Sequence, residues 1–101
     1  MIFDYFRNTA RRSAASCYQL YSVNADGKFE HVNIDVLRKL KENGFDAVKY
    51  TAMGQISTYV FIDPSEMQAL EEQSTALNFE IAKTPVDWPM ARLIAKSPGA
   101  F

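Results

Sequence analysis

Residues 56–66 of the 101-residue chain are Ile-Ser-Thr-Tyr-Val-Phe-Ile-Asp-Pro-Ser-Glu, and this stretch decides the fold. Its first seven residues are mostly β-branched and aromatic, which is typical of a strand. Asp63 can then cap a helix, Pro64 suits the first helical position, and the Glu66 side chain can bond back to the Asp63 amide. The stretch therefore predicts a strand followed directly by a helix that runs to about Leu77.

Upstream of this stretch, the same local signals predict a helix and three more strands. Asn33 can cap the helix, and Gly44 can end it because glycine adopts the left-handed conformation without steric cost. Asp26-Gly27 favours a tight turn between the first two strands. The predicted boundaries are strands at 17–23, 28–32 and 46–52, a helix from Asn33 to Asn43, and a second hairpin turn at Met53-Gly54-Gln55.

Downstream, a short strand is predicted at 79–83, followed by a helix that begins after Asp87. Apolar spacing also predicts a helix over 3–16. The order strand, helix, strand, strand, helix, strand is that of a ferredoxin-like α+β sandwich, in which an antiparallel sheet carries both helices on one face. The prediction is one domain, 1–101, made of an N-terminal helix (1–16), this kernel with its extra hairpin strand (17–83) and a C-terminal helical segment (84–101).

Composition limits the class of protein. With 48% hydrophobic and 13% aromatic residues, the chain can build one core. It contains no apolar run of the roughly 20 residues that span a bilayer, so we expect no membrane partner. A net charge of −1 disfavours a dedicated nucleic-acid binder. The single cysteine and the absence of a secretory pattern at the N-terminus predict a cytoplasmic location.

The chemistry-bearing residues are too few to form a familiar catalytic or metal site. Cys17 and His31 are the only cysteine and histidine. They could form a dyad if their strands pair, but the apolar neighbours of Cys17 favour an unreactive core thiol. One histidine and one cysteine cannot supply the ligands that zinc takes, and the four glycines stand too far apart for a phosphate loop. We therefore expect no catalytic residues, no cofactor and no metal.

The order of elements resembles that of the RNA-recognition motif, whose first and third strands carry aromatic residues that stack on bases. Residues 20–25, Leu-Tyr-Ser-Val-Asn-Ala, match the first-strand signature of that family at their first, second and fifth positions. In the third strand only Tyr59 matches, and the basic residue and the glycine of the signature are missing. The resemblance is one of topology, and it implies single-stranded nucleic acid as an alternative ligand.

Strand alternation separates the two faces of the predicted sheet. It directs Val60 and Ile62 toward the helices and leaves the aromatic side chains of the same strand on the open face. A large apolar face needs a cover, and three remain open: the flanking segments 1–16 and 84–101, a second copy of the chain, or a foreign partner, for which the acidic pI favours protein over RNA. The candidate interaction face consists of Tyr21, Tyr50, Tyr59, Phe61 and Trp88.

A second candidate site is the basic group Arg7, Arg11 and Arg12, close together on the predicted N-terminal helix. It is either an ordinary solvated face or a contact for an anionic partner, namely an acidic protein or a nucleic-acid backbone.

These observations favour a small non-enzymatic intracellular protein that acts through protein–protein contacts. It would be a regulator, inhibitor or adaptor, of the kind common on phages and mobile elements, with an unidentified protein partner or a second copy of the chain. One alternative is a single-stranded nucleic-acid binder that uses the open sheet face. The other is a ferredoxin-like dimer that binds or transforms a small molecule.

Overall fold

In a computed structural model of the chain, residue 12 and residues 15–96 are described. Apart from Arg12, Ala15 and Ser16, the predicted helix over 3–16 falls outside these residues, and Ser16 begins the first strand. The elements of the described part are β1 (Ser16–Val23), β2 (Phe29–Glu30), α1 (Ile34–Glu42), β3 (Asp46–Ala52), β4 (Gln55–Ile62), α2 (Met67–Leu77), β5 (Glu80–Ile81) and α3 (Trp88–Ala95).

The fold is α+β, as predicted, with a curled antiparallel sheet. β1 pairs with β2, β4 and β5, and β4 also pairs with β3. The elements occur in the predicted order, but β2 and β5 have only two residues each. These two strands are shorter than the predicted 28–32 and 79–83.

The helix starts follow the predicted local chemistry. The Asn33 side chain accepts a hydrogen bond from the Asp35 amide at 2.7 Å, which caps α1. The Asp63 amide donates to the Glu66 side chain at 2.9 Å within a capping box, and a single 3₁₀ turn, Pro64–Glu66, leads into α2. These contacts join residues only two or three positions apart, so the sequence pattern was sufficient to predict them.

The β3–β4 hairpin turn is tighter than predicted. It contains two residues, Met53 and Gly54, because Gln55 already pairs with Ala52. Both turn residues have positive φ, 53° and 77°. A two-residue turn of this kind matches the right-handed twist of the flanking strands.

The sheet has a hydrophobic cluster on each face. On one face, Leu37 and Leu40 of α1 and Leu70 of α2 pack with Val60 and Ile62 of the sheet. On the other face, α3 packs on a second cluster that includes Cys17, Val48, Tyr59 and Phe61. The face predicted to be open is therefore covered over these four side chains, and the C-terminal segment supplies the cover.

Candidate functional site

The structure does not bring the five aromatic residues of the predicted interaction face together. Tyr59 is only 8% exposed and Phe61 is fully buried, and both lie beneath Ala91 and Ile94 of α3. Tyr50 is half-buried beside this cluster, where its ring meets that of Tyr59 edge to face at 6.4 Å. These three rings belong to the core and its border, so they form no open stacking surface.

Tyr21 and Trp88 are in different surroundings. Trp88 is 56% exposed at the start of α3. Tyr21 is half-buried on β1, and its ring lies 4.6 Å from that of Phe29 between centroids. Phe29 is itself 74% exposed. Sequence reasoning missed Phe29, although it stands two residues after the predicted Asp-Gly turn, beside the first strand.

Arg12, from the predicted basic group, is buried and paired within the chain. Its Nε and Nη2 atoms donate to the two carboxylate oxygens of Asp46 at 2.7 and 2.8 Å. Its Nη1 atom donates to the Ala95 carbonyl at 2.9 Å, and its guanidinium lies 5.3 Å from the centre of the Phe61 ring. The guanidinium therefore holds the sheet and α3 together rather than lying on a solvated face. Arg7 and Arg11 are outside the described residues.

Sequence reasoning also missed Asp46, the carboxylate that pairs with Arg12. One signal was available, because Asp46 is the single charge within the apolar run from Phe45 to Val48. Charged residues inside such runs are usually paired when they are buried.

The structure separates the two residues of the conceivable dyad. Cys17 is buried in the cluster beneath α3, and burial raises the pKa of its thiol to about 12. His31 is exposed and follows β2. A thiol with such a pKa holds its proton at neutral pH, so Cys17 is not an activated nucleophile.

The backbone hydrogen bonds determine which edge of β1 carries β2. Along a strand, the amide and carbonyl groups of successive residues point to opposite edges. The Gln19 carbonyl accepts from the Ala82 amide at 2.9 Å, so odd-numbered residues of β1 face β5. The Asn24 amide donates to the Lys28 carbonyl at 2.9 Å, so even-numbered residues face β2. Leu20 pairs with both β5 and β4, so these two strands lie on opposite edges of β1, and the even-numbered residues also face β4. β2 and β4 therefore lie one after the other on the same edge of β1.

A cleft separates β2 from the start of β4. β1 pairs with β4 only as far as Leu20–Thr58, and with β2 from Ser22 onward. On the α1 side, the cleft holds a cavity of about 450 Å³, and on the opposite face one of about 260 Å³. The residues that line both cavities are Glu30, His31 and Ile56. We call this site the β2–β4 cleft, with Glu30 and His31 on one wall and Ile56 on the other.

Exposed apolar side chains border the cleft. Phe29 and Ile56 line the smaller cavity together with Tyr21, and Ile34 lines the larger one. Phe29, Ile34 and Ile56 are all exposed. Val23, also exposed, is the strand partner of Phe29. Exposed apolar surface and cavities therefore coincide at the cleft.

Neither a metal site nor a relative identifies the activity. No three His, Cys, Asp or Glu side chains stand close enough to hold a metal ion within the described residues. No helix of residues 15–96 is both long enough and apolar enough to cross a membrane. Comparisons with protein-family models, with curated proteins and with solved structures found no match.

Proposed function

We propose that this chain is a small non-enzymatic protein that acts by binding another protein through the surface around the β2–β4 cleft. The observation that carries the proposal is Phe29, which is 74% exposed although its ring packs on Tyr21. Aromatic side chains that are rigid before binding contribute contact area at little entropic cost, and they are common binding anchors.

The hairpin that carries Phe29 contains several hydrogen bonds of its own. The Asn24 carboxamide oxygen accepts bonds from the amides of Asp26 and Lys28, and its nitrogen donates to Glu30 at 3.0 Å. Gly27, with φ of 79°, donates its amide to the Asn24 carbonyl. A preorganised hairpin supports the proposal because it lowers the ordering cost of binding.

For the fold, we propose the ferredoxin-like arrangement. It is supported by the pairing of β1 with β4 and β5, by that of β4 with β3, and by the clustering of α1 and α2 on one face. In this scheme β2 and α3 are additions, and α3 covers the part of the open face formed by Cys17, Val48, Tyr59 and Phe61. We also propose a cytoplasmic location, which rests on the single buried thiol.

Small-molecule binding is a second candidate function, because the 450 Å³ cavity of the cleft lies within the size range of ligand pockets. It predicts a rise in melting temperature with some members of a metabolite library. No rise across the library would remove its support. Single-stranded nucleic acid is less favoured, because Tyr59 lies under α3 and cannot stack on bases.

The test of protein binding compares two exposed aromatic side chains. Wild-type chain, Phe29→Ser and Trp88→Ser are each expressed in the cells that normally make this protein and are crosslinked there to their partners. Native mass spectrometry of the purified chains measures self-association in parallel. We expect a partner, or a second copy, whose crosslinks depend on Phe29 and persist in Trp88→Ser. A partner retained equally by Phe29→Ser contradicts the proposal. Loss only in Trp88→Ser would move the interface to α3.

A further inference from the structure

We propose that the partner protein places an arginine side chain over the Tyr21–Phe29 ring pair, where its guanidinium binds the carboxylate of Glu80. This inference rests on the proposed function and specifies which group of the partner is recognised. It follows from the position of Glu80 beside the rings, from the charges around them, and from the way the chain binds its own Arg12.

Glu80 lies directly opposite Tyr21 in the sheet, because the two residues are strand partners in the β1–β5 ladder. The Cβ atoms of directly opposite residues lie about 4.5–5.5 Å apart on one face of a sheet. The Glu80 side chain is exposed, and it forms no ion pair with another described residue. Its carboxylate is therefore open to a group that lies above Tyr21.

Phe29 flanks Tyr21 on the other side. Its strand partner, Val23, stands two residues from Tyr21 on β1, so both side chains point to the same face of the sheet. The rings of Tyr21 and Phe29 lie 4.6 Å apart between centroids, with an interplanar angle of 40°. The three side chains therefore form a row across β5, β1 and β2, with a carboxylate at one end and an exposed ring at the other.

The charges around this row favour a cationic group on the partner. The ring pair lines the cavity of about 260 Å³, and Glu30 also lines it, whereas no lysine or arginine of the described residues does. Of the remaining lining residues, only His31 can carry a positive charge. Glu30 and Glu80 stand on opposite edges of β1, so carboxylates flank the rings on both sides. Cations bind to the faces of aromatic rings, and a neighbouring carboxylate strengthens this attraction.

The chain already binds one of its own arginines with the same two kinds of group. Arg12 donates paired hydrogen bonds to the Asp46 carboxylate, and its guanidinium lies 5.3 Å from the centre of the Phe61 ring. A guanidinium is planar, so it can stack on a ring while it forms two parallel bonds to a carboxylate. A lysine ammonium cannot form that paired arrangement, and the row therefore fits arginine better than lysine.

The experiment selects peptides from a phage-displayed library of random 12-residue peptides on the full chain, at low salt to limit screening. Fluorescence polarisation then measures the affinity of a selected peptide for wild type, Glu80→Gln and Glu72→Gln. Glu72 is the matched control, because it is an exposed glutamate of α2, on the opposite face of the sheet. We expect the selected peptides to contain arginine. Glu80→Gln should bind them about twofold to fivefold more weakly, and Glu72→Gln should bind them like wild type.

Two further replacements separate recognition of the cation from apolar contact. Citrulline in place of the peptide arginine keeps its length and planarity but removes its charge. It should cost more affinity on wild type than on Glu80→Gln, because that variant already lacks the carboxylate that pairs with the cation. Phe29→Leu keeps an apolar side chain but removes the aromatic face, and it should weaken binding by about twofold to fivefold.

An equal loss from citrulline on wild type and on Glu80→Gln would overturn the inference. A selection that enriches peptides without arginine, or no peptide at all, would overturn it as well. Peptides that lack arginine but lose affinity for Phe29→Ser would leave the proposed function standing. Peptides that bind Phe29→Ser as tightly as wild type would reject both.

Discussion

Arg12 and Asp46 form a bidentate ion pair between positions 34 residues apart, with nitrogen–oxygen distances of 2.7 and 2.8 Å. Both side chains are about 95% buried. The same guanidinium binds the Ala95 carbonyl at the end of α3 and lies over Phe61 of β4. One side chain therefore connects the N-terminal part of the chain, the sheet and the helix that covers it.

Removing one member of this pair should be severely destabilising. Arg12→Leu leaves the Asp46 carboxylate buried without its partner, and we expect it to lower the free energy of unfolding by about 3–5 kcal/mol. Urea unfolding measures the change. The control is Arg38→Leu, because Arg38 pairs with Asp35 at the surface at 3.8 Å. Its loss should cost less than about 1 kcal/mol.

The double variant Arg12→Leu/Asp46→Leu should regain much of the stability that Arg12→Leu loses. The reason is that replacing both partners leaves no unpaired charge in the interior. A double variant less stable than Arg12→Leu alone would contradict this account and would indicate that Asp46 has another essential role.

The cover formed by α3 can be tested with adjacent residues of that helix. Ile94 is fully buried against the second cluster, whereas Leu93 is 53% exposed. Ile94→Ala should cost about 2–5 kcal/mol, because it removes buried methyl groups and leaves a cavity. Leu93→Ala should change stability by less than about 0.5 kcal/mol. Equal costs in urea unfolding would mean that α3 does not pack as described.

Sequence reasoning succeeded where the physical cause is local. Asn33 caps α1 and Glu66 completes a capping box because the bonded atoms lie two or three residues apart. Strand alternation also assigned Val60 and Tyr59 to opposite faces of the sheet correctly, because strand periodicity is intrinsic to the backbone. Each of these features could be read from a short window of sequence.

The predictions that were wrong and the features that were missed all depend on contacts between distant parts of the chain. Arg12 and Asp46 carry no shared periodicity, so nothing in their spacing predicts the ion pair. The β2–β4 cleft depends on which edge of β1 each strand occupies. That choice follows from the register of three strands, which no short stretch of sequence specifies.

The Cys17 thiol should make stability fall at high pH. Burial raises its pKa from the ordinary 9.0 to about 12, so the folded state keeps a proton that the unfolded state releases above pH 9. The resulting stability is complete below pH 9 and is lost as the pH rises toward 12, at up to about 1.4 kcal/mol per pH unit. The unfolding free energy of wild type minus that of Cys17→Ala isolates this contribution, and a difference independent of pH would contradict it.

Thiol reactivity gives an independent measure of the same burial. At pH 8 the native protein should react with a thiol reagent far more slowly than the urea-unfolded chain, because the thiolate is scarce and the sulfur is inaccessible. Comparable rates would mean that the cluster beneath α3 opens readily.

Met53 should be replaceable by a residue that makes the protein more stable. Its side chain is fully exposed, and its φ of 53° is a conformation that costs most residues about 1–2 kcal/mol. Asparagine tolerates this conformation and is preferred before glycine in a two-residue hairpin turn. Met53→Asn should therefore stabilise the fold by about 0.5–1 kcal/mol, which corresponds to a melting temperature a few degrees higher. Gly54→Ala is the matched control and should be destabilising, because alanine has a Cβ atom and would have to adopt the φ of 77° found at position 54. A lower melting temperature for Met53→Asn would contradict the left-handed turn conformation described for position 53.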